Sequence, residues 1–204
     1  MFYDTSKNDH GLPRDPFKAI VVPRPIGWIT SMSAKGEINL APYSFFNATS
    51  AKPPTVMFAS ERRKDSLTFI EETKEFVCSL ATFELRDVMN DTSKPFARGV
   101  NEMDEVGLAA APSRLVKPPR VAASPCALEC KWLKTVVLAD VDGREIDSHI
   151  VFGQVVGIYI DDRFVKNGFL DTASMRPIAR AGYHEYFVST PDTRFTLIRP
   201  KGGE

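Results

Sequence analysis

The sequence is poor in the features that mark several large classes of protein. Its 204 residues include only three cysteines, an odd number that argues against a disulfide framework. No window approaches the roughly 18 consecutive apolar residues of a membrane-spanning helix. Lysine plus arginine and aspartate plus glutamate each total 26, so no net charge draws the protein toward nucleic acid or an anionic membrane. We therefore predict neither partner, and any anion site must be local.

Several short catalytic and nucleotide-binding motifs are also absent. The sequence has no G-x-G-x-x-G after a strand pattern, no G-x-x-x-x-G-K-[ST], no H-E-x-x-H and no G-x-S-x-G. Cys126 and Cys130 lie four positions apart on a predicted strand, about 13 Å at roughly 3.3 Å per residue, which is too far to hold one metal ion. We predict no metal site and expect the cysteines to serve as small packing residues.

The chain carries no internal repeat and no low-complexity linker. Its 15 prolines are spread along the sequence, and its length fits one domain, which we predict over residues 1–204. Residues 1–15 lack the basic-then-apolar order of a signal peptide, so we expect a cytoplasmic protein.

Apolar and β-branched runs predict an antiparallel, mainly β fold with short helices. Strands are predicted at residues 26–33, 55–61, 75–82, 124–138 and 148–162. Gly36 suits a hairpin turn after the first run, and Gly153 with Gly157 would permit tight curvature or close approach in the last. The regular strand-helix alternation of a doubly wound parallel sheet is missing, so we predict a closed antiparallel barrel.

Two short helices are predicted between these strands. Asp65 is the predicted N-cap of the segment "KDSLTFIEETK", in which Leu67 and Ile70 share a face. Thr82 is the predicted N-cap of the segment "FELRDVMND".

The stretch "NLAPYSFFNATSAKPP", residues 39–54, places two aromatic residues among small, hydroxylated and amide side chains. Small residues let backbone N–H and C=O groups reach the edge of a flat ligand, while the aromatic surface covers its face. The pattern indicates a site for a planar heterocycle such as a flavin. It equally suits a polar loop whose two phenylalanines belong to the core.

The segment "SERRKDS", residues 60–66, sets three cations beside hydroxyl groups at the start of a predicted helix. Cations, hydroxyl donors and free N–H groups at a helix terminus together bind phosphate. A charged, solvated surface turn is the alternative. Because a single strand joins the two segments, a ring site and a phosphate site could lie at opposite ends of one ligand.

Several motifs in order resemble the flavin reductase-like, FMN-binding split-barrel family. They are "PRPIGWITSMSAKGEINLAPYSFFNATSAKPPTVMFAS", "RRKDS", "MNDTS", "EVGLAAAPS", "CALEC" and "SHIVFGQVVGIYIDD", and the similarity covers about residues 23–186. The sequence is most similar to the branch that contains flavoredoxin and the reductase components of nitrilotriacetate monooxygenase. The resemblance implies a Greek-key-like split barrel that forms a homodimer with one FMN per subunit.

The resemblance also implies the residues of the site. Those expected around the flavin ring and its ribityl chain are Thr30, Ser31, Asn39, Ala41, Pro42, Ser44, Phe45, Phe46, Asn47 and Ala48. Those expected at the phosphate are Ser60, Arg62, Lys64 and Ser66, the last standing where the family often has threonine. Phe96 and Ala97 match a loop that reaches the flavin, and Arg180 and Tyr186 match residues near the pocket entrance.

The activity implied by the resemblance is hydride transfer from NADH or NADPH to FMN, which the cofactors themselves carry out. His149 matches a histidine near the flavin or nicotinamide, and we nominate it to position the nicotinamide. The reduced flavin would pass to a flavin-dependent monooxygenase or another redox protein. Two alternatives remain open, namely a tight FMN electron-transfer protein and a non-redox flavin-binding module. The sequence does not distinguish NADH from NADPH.

Overall fold

A computed structural model describes residues 1–200, which fold mainly as antiparallel β structure. The strands are β1 (Arg24–Pro25), β2 (Gly27–Met32), β3 (Ile38–Tyr43), β4 (Phe46–Ala51), β5 (Pro54–Glu61), β6 (Glu75–Leu80), β7 (Ala110–Ala111), β8 (Arg120–Val121), β9 (Cys126–Ala139), β10 (Glu145–Ile160), β11 (Val165–Lys166), β12 (Phe169–Leu170), β13 (Ile178–Arg180) and β14 (Tyr186–Val188). The α-helices are α1 (Phe17–Ile20), α2 (Asp65–Thr73), α3 (Arg86–Asp91) and α4 (Glu102–Glu105). Short 3₁₀ turns occupy Phe83–Leu85, Asp162–Phe164, Thr172–Met175 and Pro191–Thr193.

Seven strands form the main sheet in the order β3-β2-β6-β9-β10-β5-β4. Neighbouring strands in this sheet are antiparallel, as the alternating runs predict. A second sheet, in the order β1-β13-β14, joins the N-terminal part of the fold to its C-terminal part. None of the helices within residues 1–200 is long and apolar enough to cross a bilayer.

The predicted hairpin after the first strand is confirmed. Gly36 has φ of +89° and donates its N–H to the Ser33 carbonyl at 3.0 Å, which closes the turn between β2 and β3. A left-handed backbone conformation is favourable for glycine because it has no Cβ. The turn fixes the register that sets Thr30 opposite Leu40.

Both glycines of β10 lie where the pairing with β9 changes register. Shifts occur between Phe152 and Gly153 and between Val155 and Gly157. A Cβ at Gly153 would stand 2.3 Å from Phe76 Cζ, so the missing side chain admits an aromatic ring against the strand. Bulges of this kind bend a strand, in line with the predicted curvature, whereas the group that approaches Gly153 closely is the Phe76 ring and not another backbone.

The two predicted helical segments form, but neither predicted N-cap residue makes a side-chain capping hydrogen bond. Lys64, rather than Asp65, is the N-cap of α2, and it makes no side-chain capping hydrogen bond. Thr82 occupies the predicted N-cap position, that of the 3₁₀ turn that leads into α3, but it likewise makes no side-chain capping bond. Asp65 is the first residue of α2, and its carboxylate pairs with Arg98 at 3.2 Å.

Two buried clusters flank the region where β3, the start of α2 and the segment 92–97 meet. One contains Phe58 and Phe76, packed edge to face at 5.9 Å between ring centres. The other contains Trp28, which is fully buried and donates its indole N–H to Thr92 Oγ1 at 3.0 Å. Thr92 anchors the beginning of segment 92–97, so the segment is held over the end of β3. All three cysteines are free thiols.

Candidate functional site

A cavity of about 590 Å³ opens between β3, the N-terminus of α2 and the segment 92–97. We call it the Lys64 cavity. Its lining residues are Lys18, Asn39, Ala41, Pro42, Tyr43, Ser44, Phe45, Ala59, Glu61, Lys64, Asp65, Ser66, Thr92, Ser93, Lys94, Pro95, Phe96, Ala97 and Glu102. Its volume lies in the range of about 300–1,000 Å³ that is typical of small-molecule sites.

A buried polar network forms one wall of the Lys64 cavity. With the Asn39 amide oriented to satisfy its neighbours, its nitrogen donates to Glu102 Oε1 at 3.2 Å and its oxygen accepts from the Ser66 hydroxyl at 2.8 Å. Glu102 Oε2 accepts the Leu40 backbone N–H at 2.7 Å. Burial, and secondarily the nearby Asp65 carboxylate, raise the pKa of Glu102 above its ordinary value. The network fixes the side chains of Asn39 and Ser66 at the cavity surface.

The N-terminus of α2 supplies the positive end of the cavity. The backbone of Lys64, the N-cap residue of α2, is extended, and its side chain makes no capping hydrogen bond. Its Nζ lies 6.0 Å from the centre of the Tyr43 ring. Its neighbour Arg63 pairs with Glu71. Lys64 itself has no ion pair within residues 1–200, so its charge is available to a ligand. An uncapped helix N-terminus beside a cation favours the binding of phosphate, because the free N–H groups and the positive charge both attract an anion.

The Tyr43 side chain separates this polar end from the apolar core. Its ring packs on Phe58 with 4.6 Å between centres. Its buried hydroxyl faces those of Ser60 and Ser66 but forms no hydrogen bond of normal geometry, and burial raises its pKa. A buried hydroxyl without a partner at the wall of a cavity is an unused donor.

Nine of the residues expected at a flavin site line this one cavity. They are Asn39, Ala41, Pro42, Ser44, Phe45, Lys64, Ser66, Phe96 and Ala97. The structure therefore brings the predicted ring segment, the predicted phosphate segment and the predicted loop together around a single space.

Five other expected residues of β2 and β4 lie outside the cavity. Phe46 packs against Gly27, where a Cβ would stand 2.6 Å from its ring. Asn47 and Ala48 are exposed on β4, the edge strand of the main sheet. Thr30 and Ser31 are fully buried in β2, and neither hydroxyl has a hydrogen-bond partner in the described residues.

Three more expected residues surround the turn that precedes α2. Ser60 is fully buried and donates to the Arg62 carbonyl at 2.9 Å, which supports the left-handed backbone of Arg62 at φ of +69°. His149 pairs with Ser60 across β10 and β5, and its Nε2 lies 3.1 Å from Asp147 Oδ1. None of the three lines the Lys64 cavity. Their expected roles stay predictions.

The remaining expected residues, Arg180 and Tyr186, line an adjoining cavity of about 690 Å³, which we call the Arg24 cavity. Its lining residues are Arg14, Asp15, Lys18, Arg24, Ile26, Pro42, Ser44, Met89, Asn90, Ser93, Arg180, Tyr183, His184 and Tyr186. The two cavities share four residues, Lys18, Pro42, Ser44 and Ser93, so they are neighbouring compartments of one cleft.

Sequence reasoning missed several residues of this cleft. Glu102 stands in the acidic run "NEMDE", which has the composition of an exposed helix end, yet only 7% of the residue is exposed. Arg24 lies in the quoted motif "PRPIGW" but was not assigned a place at the site. Lys18 belongs to a four-residue helix without a sequence signature. The sequence signal that could have identified Arg24 is its position as a cation just before the buried strand β2.

The sequence model of the flavin reductase like domain family matches residues 19–176. This chain belongs to that family. An uncharacterized protein of Deinococcus radiodurans is 37% identical over 187 residues, with 86% of this chain and 79% of that protein covered. The nine expected flavin-site residues that line the Lys64 cavity, from Asn39 to Ala97, all fall within the matched range.

Solved structures share the fold over almost the whole chain. Nitrilotriacetate monooxygenase component B from Bacillus cereus has a TM-score of 0.85 at 23% identity, covering 97% of this chain and 98% of its own. A 2-nitrobenzoate 2-nitroreductase of Pseudomonas fluorescens has a TM-score of 0.84 at 26% identity with both chains fully covered. A Shewanella frigidimarina protein described as a flavin reductase with a split barrel domain has a TM-score of 0.82 at 19% identity, again with both chains fully covered. The predicted split-barrel fold is confirmed.

Proposed function

We propose that this chain binds FMN in the Lys64 cavity and reduces it with NADH or NADPH. The observation that carries the proposal is the meeting of two sequence segments in one cavity. Residues 39–45, suited to the edge and face of a flat ring, and residues 64–66, suited to a phosphate, line the same space. Membership of the flavin reductase like family supports a flavin as the occupant.

The side chains present fit such a ligand. Asn39 and Ser44 offer hydrogen bonds, and Phe45 and Phe96 offer aromatic surface. Tyr43 adds a buried hydroxyl that has no hydrogen-bond partner among residues 1–200. A planar heterocycle with polar edges would use all three kinds of group.

Lys64 and the N-terminus of α2 would hold the terminal phosphate of FMN through one charge and free backbone N–H groups. The Asn39–Glu102–Ser66 network would keep the polar wall rigid, so that the ring is oriented before the second substrate arrives. The bound flavin would supply the redox chemistry by accepting hydride from the nicotinamide. His149, which lines neither cavity, is assigned no step by this geometry and keeps its nicotinamide role only as a prediction from the resemblance.

The electron acceptor we propose is a separate protein, with a flavin-dependent monooxygenase as the first candidate. The Bacillus cereus neighbour is by name a component of a monooxygenase, which supports this choice. We place the reaction in the cytoplasm, where three free thiols stay reduced.

We also propose that the chain forms a homodimer. The outer parts of β9 and β10 extend beyond their pairing with β6 and β5. They carry four apolar side chains that are 36–48% exposed, Leu133, Val137, Leu138 and Ile146. A second copy would cover this surface. Sedimentation should give twice the mass of one chain, and a monomer that binds FMN fully would contradict the dimer.

One experiment tests the central proposal. The visible spectrum of the purified protein with added FMN is recorded, and NADH or NADPH is then added without oxygen. Loss of the flavin absorbance, and steady NAD(P)H consumption with excess FMN, would support a reductase. A stable yellow protein that no nicotinamide bleaches would instead indicate an electron-transfer flavoprotein. A protein that binds no flavin would refute both.

A further inference from the structure

Two arginines stand directly opposite each other in the small sheet that walls the Arg24 cavity. In the pairing of β1 with β13, Arg24 is the register partner of Arg180. Side chains of directly opposed residues project from the same face, with Cβ atoms about 4.5–5.5 Å apart. Like charges in this arrangement repel, so the sheet carries a local electrostatic cost.

Arg24 is a buried cation without a carboxylate partner in the described chain. Only 7% of the residue is exposed. Its Nη1 donates to the carbonyls of Lys18, at 2.6 Å, and Val21, and its Nη2 donates to the Ala181 carbonyl at 3.1 Å. Its Nε–H has no hydrogen-bond partner within residues 1–200. Burial, with the charge of Arg180, lowers the pKa of Arg24. Backbone carbonyls satisfy donors, but they do not neutralise the charge.

The other charged groups of the Arg24 cavity add to this excess. Arg14 and Lys18 also line it, whereas Asp15 is its one carboxylate among residues 1–200. Asp15 Oδ1 accepts the backbone N–H of Phe17 at 2.8 Å, so this carboxylate is engaged by the backbone at the start of α1. Arg180 donates to the carbonyl of Tyr183, again a neutral partner.

We propose that the Arg24 cavity binds an oxyanion, a phosphate or carboxylate group, of the second substrate that reacts at the flavin. The inference rests on the proposed function for the identity of that substrate, but the anion site follows from the paired arginines alone. An oxyanion beside Arg24 and Arg180 would offset the repulsion between the two guanidinium groups. Because the cavities share Lys18, Pro42, Ser44 and Ser93, a bound anion would place the rest of its molecule toward the Lys64 cavity.

Two probes separate the sources of the oxyanion. ADP-ribose carries the phosphates of a nicotinamide dinucleotide without its redox ring, and benzoate is an aromatic carboxylate. Each is titrated into the purified wild-type protein by calorimetry and by thermal denaturation, with and without FMN. Arg180→Gln removes one of the paired charges. Arg176→Gln, whose arginine pairs with Glu84 at 2.7 Å outside both cavities, is the matched control for net charge.

We expect at least one probe to bind, and Arg180→Gln to weaken it about tenfold while Arg176→Gln does not. Binding of ADP-ribose identifies a dinucleotide phosphate, and binding of benzoate identifies a carboxylate substrate. Arg24→Lys keeps the buried charge but loses the planar guanidinium group with its several N–H donors. This variant should also weaken binding of the same probe. The inference is overturned if neither probe binds wild type, or if both glutamine variants respond alike. Probe binding without flavin binding would refute the proposed function and leave the anion site standing.

Discussion

The two compartments of the cleft differ in how their charges are balanced. The Lys64 cavity is lined by three lysines and three carboxylates, namely Lys18, Lys64, Lys94, Glu61, Asp65 and Glu102. The Arg24 cavity has three arginines and one lysine against a single carboxylate, namely Arg14, Arg24, Arg180, Lys18 and Asp15. Both stand in a chain with zero formal net charge.

This difference separates two kinds of recognition. A balanced lining with an unpaired lysine at a helix N-terminus, as found within residues 1–200, suits a mostly uncharged ring that ends in a phosphate. A lining with excess positive charge and a buried guanidinium group suits the reversible binding of an anionic substrate. We infer that the first compartment holds the cofactor and the second receives the substrate, so Lys64→Ala and Gly182→Ala should each affect one compartment and spare the other.

The largest expected effect comes from Lys64→Ala, which acts on the Lys64 cavity alone. Each charge-assisted bond to phosphate is worth about 1.5–3 kcal/mol, so the FMN dissociation constant should rise about ten- to a hundredfold. Riboflavin lacks the phosphate, and its affinity should not change. Fluorescence quenching with the two flavins measures both constants.

Arg63→Ala is the matched control for that variant. Arg63 precedes Lys64 in the same turn, but it pairs with Glu71 and does not line the cavity. Its loss should leave FMN affinity unchanged. If Lys64→Ala weakens both flavins equally, the cavity has been damaged in general. If it weakens neither, the turn is a solvated surface.

Gly182→Ala should damage the Arg24 cavity instead. A Cβ at this position would lie 2.6 Å from Ala19 Cβ and 2.9 Å from Ala19 Cα, so α1 would be displaced. Arg24 ties this region together through the carbonyls of Lys18 and Ala181. We expect a loss of about 1–3 kcal/mol in the free energy of unfolding, as for other overpacked sites.

Urea denaturation measures that loss, and flavin titration supplies the internal comparison. FMN affinity should stay close to wild type in Gly182→Ala, because Lys18 is the one residue of α1 that lines the Lys64 cavity and the rest of its described lining comes from other segments. A variant as stable as wild type would show that the contact relaxes without cost. A parallel loss of FMN affinity would show that the two compartments are not independent.

The fold was predictable because its signals are local. Alternating apolar residues, Gly36 at a turn and Gly153 at a bend each act within a few residues, and all three appear where they were predicted. The helix caps were less predictable, since Thr82 occupies its N-cap position without a side-chain bond and Asp65 lies one residue inside α2. Asp65 has the composition of an N-cap, but Arg98, distant in sequence, pairs with its carboxylate.

The site was predictable only where one segment supplies several groups. Residues 39–45 and 64–66 line the cavity as expected, because each segment carries its chemistry in consecutive positions. The Arg24 cavity depends on the register of β1 with β13, which joins residues 156 positions apart. No local pattern shows that Arg24 and Arg180 are neighbours, so only the structure identified the second compartment.

His149→Ala tests whether a residue outside both compartments contributes to the nicotinamide site. The resemblance assigns His149 to nicotinamide positioning, so the Michaelis constant for NADH should rise while FMN affinity is unchanged. We expect a rise of only about threefold, since the loss of one neutral hydrogen bond is worth about 0.5–1.5 kcal/mol. Steady-state kinetics and flavin titration give the two values. Loss of FMN or of folding in the variant would show that His149 is structural.

The smallest expected effect is a pH dependence at Glu102, whose charge balances the Lys64 cavity. Because burial raises its pKa above the ordinary value of 4.5, the folded chain holds this proton more tightly than the unfolded chain. The resulting contribution to stability is fully present below the unfolded pKa and is lost as pH rises through the folded pKa. Glu102→Gln keeps an oxygen to accept the Leu40 N–H but has no proton to lose. The stability of Glu102→Gln relative to wild type should therefore improve between about pH 4 and about pH 7.5 in urea denaturation. A difference that stays constant with pH would mean that Glu102 titrates alike in the folded and unfolded chains.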